Sequence, residues 1–431
     1  MREKITEETV LLVSVLKWFV LASVTGAIIG LSTAVFIYVL NMSTFKLGAV
    51  PFYYLLIPVA FFLSSLITKY LAPEAEGHGT EKVIESVHKR AAKIKTAVVP
   101  IKLLTTVMTL ATGGSAGKEG PCAQIGGGLA SMFAGFLRFN RNDRRKLVIC
   151  GISAGFASVF GTPIAGAIFG IEVLFIGGIM YDVLLPSFIA GVISYQVSSA
   201  LGVTYFYHVI DFVPEFSQLF FVKVLISGIF VGLCSLFFIE SMKFFKGLSE
   251  KLKIWEPLKG LIGGAALVIL VFPFSTKYLG LGLDTIEAAL NGNEVAWCAF
   301  AIKVLFTCIT LTFGGSGGVV TPVFFVGATF GSVYAQFMGL GCANTPIAAS
   351  ILAVEMFGPK IAPYAAVACV VSFLMTGHRS IYPSQVFAIM KSSSIKGEIG
   401  KEVEAIKAEF QLRRKSLISS VLHIFKKVFR R

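Results

Sequence analysis

Residues 113–134 read GGSAGKEGPCAQIGGGLASMFA, and residues 314–335 read GGSGGVVTPVFFVGATFGSVYA. Laid together without a gap, at an offset of 201, they agree at Gly113/Gly314, Gly114/Gly315, Ser115/Ser316, Gly117/Gly318, Pro121/Pro322, Gly126/Gly327, Ser131/Ser332 and Ala134/Ala335. A second pair follows in the same order. Thr162-Pro163-Ile164-Ala165 runs ahead of Glu172, and Thr345-Pro346-Ile347-Ala348 runs ahead of Glu355. The chain therefore reads as two homologous halves, about 11–200 and about 210–390.

Each repeated stretch carries a glycine cluster, a bent or polar segment ending in proline, and then a helix-compatible run. Glycine permits tight backbone turns, and proline near a helix start forfeits no internal hydrogen bond. Such a segment leaves a helix N-terminus whose first N–H groups lack partners and whose dipole favours an anion. A cation site would want several carboxylates, and the two stretches hold only Glu119. A phosphate loop is excluded by spacing: Thr112 stands where the first glycine is needed, and Glu119 follows Lys118 where Ser or Thr is needed.

The surrounding sequence belongs in a membrane. Mean hydropathy is +0.80, 55% of residues are hydrophobic and only 14% are charged, against about 25% charged in soluble domains. Apolar stretches at 11–40, 50–67, 147–176, 219–239 and 261–274 include several long enough to cross a ~30 Å hydrocarbon layer. The 15 prolines and 43 glycines suit close helix contacts and broken helices. The expected fold is an all-α integral membrane protein of two homologous, inverted halves with many tilted and broken helices. Two-fold repeats in transport proteins place the substrate site between the halves, near the midplane. The first apolar run follows a short charged segment without a small-residue cleavage pattern, and reads as a retained helix rather than a signal peptide.

The net charge of +14 is partly local, since residues 396–431 hold ten Lys or Arg against four Glu. Basic residues beside membrane spans collect on the cytoplasmic side, which predicts a multi-pass protein of the cell membrane with its tail inside. Within that tail, 403–412 is helix-compatible and 416–431 reads as a basic amphipathic helix on the inner leaflet. No base-reading motif is present, so nucleic acid is not an expected partner. The seven cysteines, Cys122, Cys150, Cys234, Cys298, Cys308, Cys342 and Cys369, are scattered singly. They support neither a disulfide framework nor a thiolate metal site; no metal, cofactor or enzyme activity is expected.

With these residues in view, the chain resembles the chloride channel and proton/chloride exchanger family across about residues 11–392. Gly117-Lys118-Glu119-Gly120-Pro121 matches the family's G(K/R)EGP signature. Gly318-Val319-Val320-Thr321-Pro322 matches GxFxP in spacing, with Val320 in place of Phe, and Gly77-His78-Gly79-Thr80-Glu81 sits where GSGIP is usual. The resemblance implies a membrane domain over 1–392, a basic tail over 393–431 without appended regulatory domains, and a homodimer with one pathway per subunit. It implies that Glu119 is the gate, a tethered carboxylate that occupies an anion site until it swings away or takes a proton. It implies an anion path lined by His78, Gly79, Lys118, Glu119, Gly120, Val319, Val320 and Tyr382.

Tyr382 follows Thr376-Gly377 at the spacing of the family's anion-coordinating tyrosine, and its phenol can donate one hydrogen bond. The bland alternative is an interfacial anchor. His78 replaces the family's serine; a neutral imidazole can donate one hydrogen bond to chloride and an imidazolium adds charge. The alternative is a histidine that only caps the following helix, read as 82–94. Val173, after Glu172, stands where many exchangers place a proton-relay glutamate. The leading expectation is therefore glutamate-gated conduction of chloride and similar small anions. Proton-coupled antiport, fluoride-selective transport and a non-conducting membrane scaffold are the alternatives. The fluoride branch normally lacks the GKEGP form, and a scaffold has no use for open helix N-termini in a bilayer.

Overall fold

The computed structural model describes residues 2–208, 217–335, 346–391, 395–396, 399–406 and 409–410. The expected amphipathic segment at 416–431 and Thr345 lie outside them.

The first half contains α1 (Arg2–Gly48), α2 (Ile57–Leu71), α3 (Thr80–Lys89), α4 (Val98–Ala111), α5 (Glu119–Phe136), α6 (Arg141–Phe160), α7 (Pro163–Glu172) and α8 (Leu184–Ala200). The second contains α9 (Gln218–Lys251), α10 (Glu256–Phe274), α11 (Leu283–Leu290), α12 (Ala299–Thr312), α13 (Val320–Ala335), α14 (Pro346–Phe357) and α15 (Ala362–Met375). Among the described residues, five helices are long and apolar enough to cross a membrane. The 40-residue stretch Thr9–Gly48 measures about 60 Å as a helix, twice the hydrocarbon thickness, so it must tilt or project. At the other extreme, α7 and α14 have 10 and 12 residues. They are too short to span.

Small residues bring helix backbones together, as expected where no hydrophobic force separates helix from lipid. On α5 and α6, a Cβ at Gly126 would strike the Gly151 carbonyl, and one at Gly151 would lie 2.5 Å from the Gly126 carbonyl. On α1 and α8, a Cβ at Gly26 or Gly30 would lie only 2.6 or 2.5 Å from the carbonyl oxygen of Ala190 or Ser194.

The two halves meet at their repeated glycines. Gly117 N–H donates to the Gly318 carbonyl at 2.7 Å and Gly318 N–H to the Gly117 carbonyl at 2.6 Å, an antiparallel bridge. Equivalent residues thus face each other head to tail, which is the inverted relation the repeat implies. Around this axis each half braces the other. Ser115 N–H donates to Thr310 Oγ1 at 3.0 Å, and Ser316 N–H donates to Thr109 Oγ1 at 2.9 Å. The Ser115 hydroxyl lies 3.1 Å from that of Thr307, and Ser316 lies 3.1 Å from Thr106.

After α15 the chain returns along the membrane domain. β1 (Phe175–Ile176) pairs in parallel with β2 (Val386–Phe387), and β3 (Ile395–Lys396) pairs antiparallel with β4 (Glu409–Phe410). Among the described residues of the helix-compatible segment 403–412, no α-helix is present. A single 3-10 turn, Val403–Ala405, is followed by β4, because Val403 turns into a small core with Ile176 and Phe387.

Candidate functional site

The N-termini of α5 and α13 converge on the Gly117/Gly318 bridge. Glu119, the first residue of α5, is 2% exposed and turns its carboxylate across the axis onto α13. Thr321 N–H donates to Oε2 at 3.2 Å, and the Thr321 hydroxyl donates to Oε1 at 2.5 Å. The carboxylate thereby occupies the site that an anion at that helix start would take. An ion pair with Lys118 does not account for Glu119, whose hydrogen bonds go to Thr321. Lys118 itself is half-buried at the N-cap of α5. Val319 is buried and Val320 half-buried at the α13 N-terminus, where the first N–H groups have no intrahelical acceptor.

On the other side of Gly120 lies the loop 77–80. Gly79 has φ +83°, and a Cβ there would lie 2.6 Å from the Gly120 carbonyl oxygen; a Cβ on Gly120 would strike the His78 carbonyl. These glycines let the loop and the α5 N-terminus touch through backbone alone. α3 then starts at Thr80 and ends at Lys89, short of residue 94, where Ala91 and Ala92 take positive φ.

His78 is 7% exposed. Its Nε2 lies 2.9 Å from Glu81 Oε2, and its Nδ1 is buried with no hydrogen-bond partner. The expected single hydrogen bond from a neutral His78 to an anion needs correcting. A carboxylate only accepts, so the neutral ring's one N–H is committed to Glu81. Tyr382, 1% exposed, packs its ring 5.6 Å from that of His78, and its hydroxyl interacts with Thr80. A membrane-interface anchor would not be buried so completely.

Val173 is fully buried at the C-cap of α7, and its carbonyl accepts from Gln385 Nε2 at 2.9 Å. Its neighbour Glu172 faces elsewhere. Glu172 accepts from Ile347 N–H at 3.3 Å and Ala348 N–H at 2.8 Å, while Glu355 accepts from Ile164 N–H at 3.0 Å and Ala165 N–H at 2.7 Å. Each glutamate caps the partner helix of the other half, which agrees with the structural role the repeat suggests for both.

Sequence reasoning passed over several residues here. Thr321 holds the Glu119 carboxylate from an unmarked position of GxFxP, and Glu81 holds His78 from the position where GSGIP has proline. Lys102 and Lys303, again 201 apart, are fully buried. Lys102 Nζ donates to the carbonyls of Ala75 and Gly77 at 3.1 and 2.6 Å, and Lys303 Nζ to those of Tyr278 and Gly280 at 3.1 and 2.8 Å. Extending the ungapped comparison backwards by eleven residues would have found the pair.

Residues 60–377 match the family profile described as voltage gated chloride channel. The chain belongs to the voltage-gated chloride channel family. It is 35% identical over 401 residues to a chloride/fluoride channel protein of Pseudomonas syringae pv. tomato, covering 88% of both chains. It is 27% identical over 314 residues to the voltage-gated ClC-type chloride channel ClcB of Shigella flexneri, covering 65% of this chain and 74% of that one. Its fold superposes on a CLC-type fluoride/proton antiporter with a TM-score of 0.79 at 26% identity, over 86% of this chain and 98% of that one. A slow cyanobacterial Cl-/H+ antiporter gives 0.71 at 22% identity, over 85% and 96%, and shows the fold alone. The chain is thus an anion-transporting membrane protein of the CLC fold and not an enzyme.

Proposed function

We propose that this CLC protein forms a pathway for the small halides chloride and fluoride, gated by Glu119, without obligatory proton exchange. The observation that carries this reading is the Glu119 carboxylate seated on the N–H and hydroxyl of Thr321. A side chain carrying its own negative charge at an anion site is a tethered competitor. Protonation or a swing of the side chain removes it and leaves the helix end open. His78, Gly79, Gly120 and Tyr382 line the continuation of the path on one side of the gate, and Lys118, Val319 and Val320 line the gate itself.

Fluoride joins chloride because of the Thr321 hydroxyl. A compact, strongly hydrated ion gives up water only for strong donors, and a hydroxyl beside a helix N-terminus is one. Two similar proteins carry fluoride in their descriptions, so the GKEGP form is no ground for setting fluoride aside. Val173 and the capping role of Glu172 support the uncoupled mode. We also assign the chain to homodimers with one pathway per subunit, and its basic C-terminal tail to the cytoplasm.

The test is halide efflux from liposomes loaded with potassium chloride or potassium fluoride, read with ion-selective electrodes. Wild-type protein should release both ions and Glu119→Gln should release them faster. No release of either ion, or identical wild-type and variant rates in folded protein, would overturn the gating reading.

A further inference from the structure

We propose that Glu81 and His78 form a proton-linked anion site, in which His78 takes up a proton on Nδ1 when a halide binds there. The proposal rests on His78 lining the anion path. Four observations lead to it: the Nε2 contact with Glu81 at 2.9 Å, the buried Nδ1 without a partner, the adjoining Tyr382 ring and the adjoining Gly120 backbone.

The tautomer decides the chemistry. Glu81 offers only lone pairs, so a neutral His78 keeps its hydrogen on Nε2 and leaves Nδ1 as a bare lone pair. A lone pair facing a halide repels it. One proton from water converts the ring to imidazolium, with N–H at both nitrogens. Nε2–H stays on Glu81 and Nδ1–H becomes the halide donor. No other bond changes, and the net result is one halide and one proton bound together.

The charges around the ring fit this assignment. Burial pushes the Glu81 carboxyl up, but its hydrogen bond with His78 and the charges of Lys246 and Lys82 outweigh burial and pull it down. Glu81 is therefore ionised throughout pH 5–8, and its side chain is 23% exposed, so it neither titrates in that window nor shuts the ring off from water. Nearby, the Tyr382 ring lies 5.6 Å away, Lys102 of α4 bonds the neighbouring Gly77 carbonyl, and Glu119 opens α5 beside Gly120. On the gating reading Glu119 also takes up a proton as an anion replaces its carboxylate, so a test must remove it. The serine usual at this position in the family would donate at any pH.

The experiment uses purified full-length Glu119→Gln protein titrated with sodium fluoride and with sodium chloride by calorimetry. Titrations run between pH 5.5 and 8, each in two buffers of different ionisation heat. The expected result is uptake of about one proton per halide on the alkaline side, where affinity falls about tenfold per pH unit. His78→Ser on the same background should bind at every pH with no proton uptake. Glu81→Gln can hand an amide hydrogen to Nε2 and release the ring's own hydrogen to Nδ1, so its slope should flatten while binding at pH 8 improves. Halide binding to the Glu119→Gln protein with flat affinity and buffer-independent heat overturns the proton linkage and leaves the halide pathway standing. Absence of halide binding at every pH, together with absence of efflux, overturns both. The parent measurement decides alone should either second variant fail to fold.

Discussion

The two glycine-rich half-sites share a scaffold and differ in chemistry. Ser115 and Ser316, Thr109 and Thr310, Lys102 and Lys303, and Glu172 and Glu355 make matching bonds in opposite halves. Gly79 and Gly282 both cap short helices at positive φ. At the ends of those scaffolds the match stops. Glu119 corresponds to Val320, and the loop that carries His78 before Gly79 carries Leu281 before Gly282. Duplicated bonds hold two opposed helix N-termini at one axis, and only one half supplies titratable groups to them. Symmetry builds two opposed helix starts, and asymmetry gives their two sides different chemistry.

The largest expected effect breaks the scaffold. Gly126 and Gly327 are equivalent in sequence, but a Cβ on Gly126 strikes the Gly151 carbonyl while one on Gly327 meets nothing within 4 Å. Backbone cannot step aside as a side chain can, and overpacking of this kind costs about 1–3 kcal/mol or more. Gly126→Val should abolish the monodisperse folded peak on size exclusion in detergent, and Gly327→Ala should leave it unchanged. Equal tolerance at both positions would show that α5 and α6 do not pack as described.

Next comes the asymmetric carboxylate. Glu119→Gln keeps the side chain's shape and its contacts with Thr321 within reach, and removes its charge. Halide efflux should rise several-fold at neutral pH, because no tethered charge competes for the helix end, and the pH dependence that remains should be that of His78. A variant that is folded but keeps the wild-type rate and pH profile would remove Glu119 from the gate.

A smaller difference should separate the two capping glutamates. Glu172 is 5% exposed and Glu355 is half-buried, although their bonds are alike. Hydrogen bonds to charged groups contribute about 1.5–3 kcal/mol, and less where water can substitute. Glu172→Ala should lower the apparent melting temperature in detergent more than Glu355→Ala, and neither should change halide selectivity. A selectivity change from Glu172→Ala alone would move that residue from the frame into the pathway.

What the sequence revealed follows the same division. Glycine, proline and GKEGP spacing announce the helix starts, because those residues act through their own backbone or through one local turn. The repeat announces the inversion partners. Thr321 and the threonine braces act across the axis, on residues about 200 positions away. Their partners are set by packing, and no local pattern marks them. His78 was legible as a candidate from its place in the loop, but its hydrogen-bonding role required the position of Glu81. The tail misled for the opposite reason: 403–412 is locally compatible with a helix, and contact with Ile176 and Phe387 draws it into a turn instead.

The smallest expected effect is a zero. A chloride gradient imposed across protein-containing liposomes should drive halide without driving protons uphill in exchange. A proton crossing apolar protein must step between titratable groups or ordered waters, and Glu119 supplies one such group near the axis. On the α7 side the corresponding place holds Val173, fully buried, with its carbonyl tied to Gln385. Glu172 cannot replace it, because both its oxygens are held by the N–H groups that start α14. The Glu81–His78 pair is a further titratable group near the path. A proton that joins the halide at His78 and returns to the side it came from crosses nothing, so this pair alone builds no proton gradient. A pH electrode outside chloride-loaded vesicles should therefore register no sustained alkalinisation or acidification against a gradient. Uphill proton movement at a fixed ratio to chloride, abolished by Glu119→Gln, would mean that the two sides of the gate are joined by a proton route, and the exchanger reading would replace the uncoupled one.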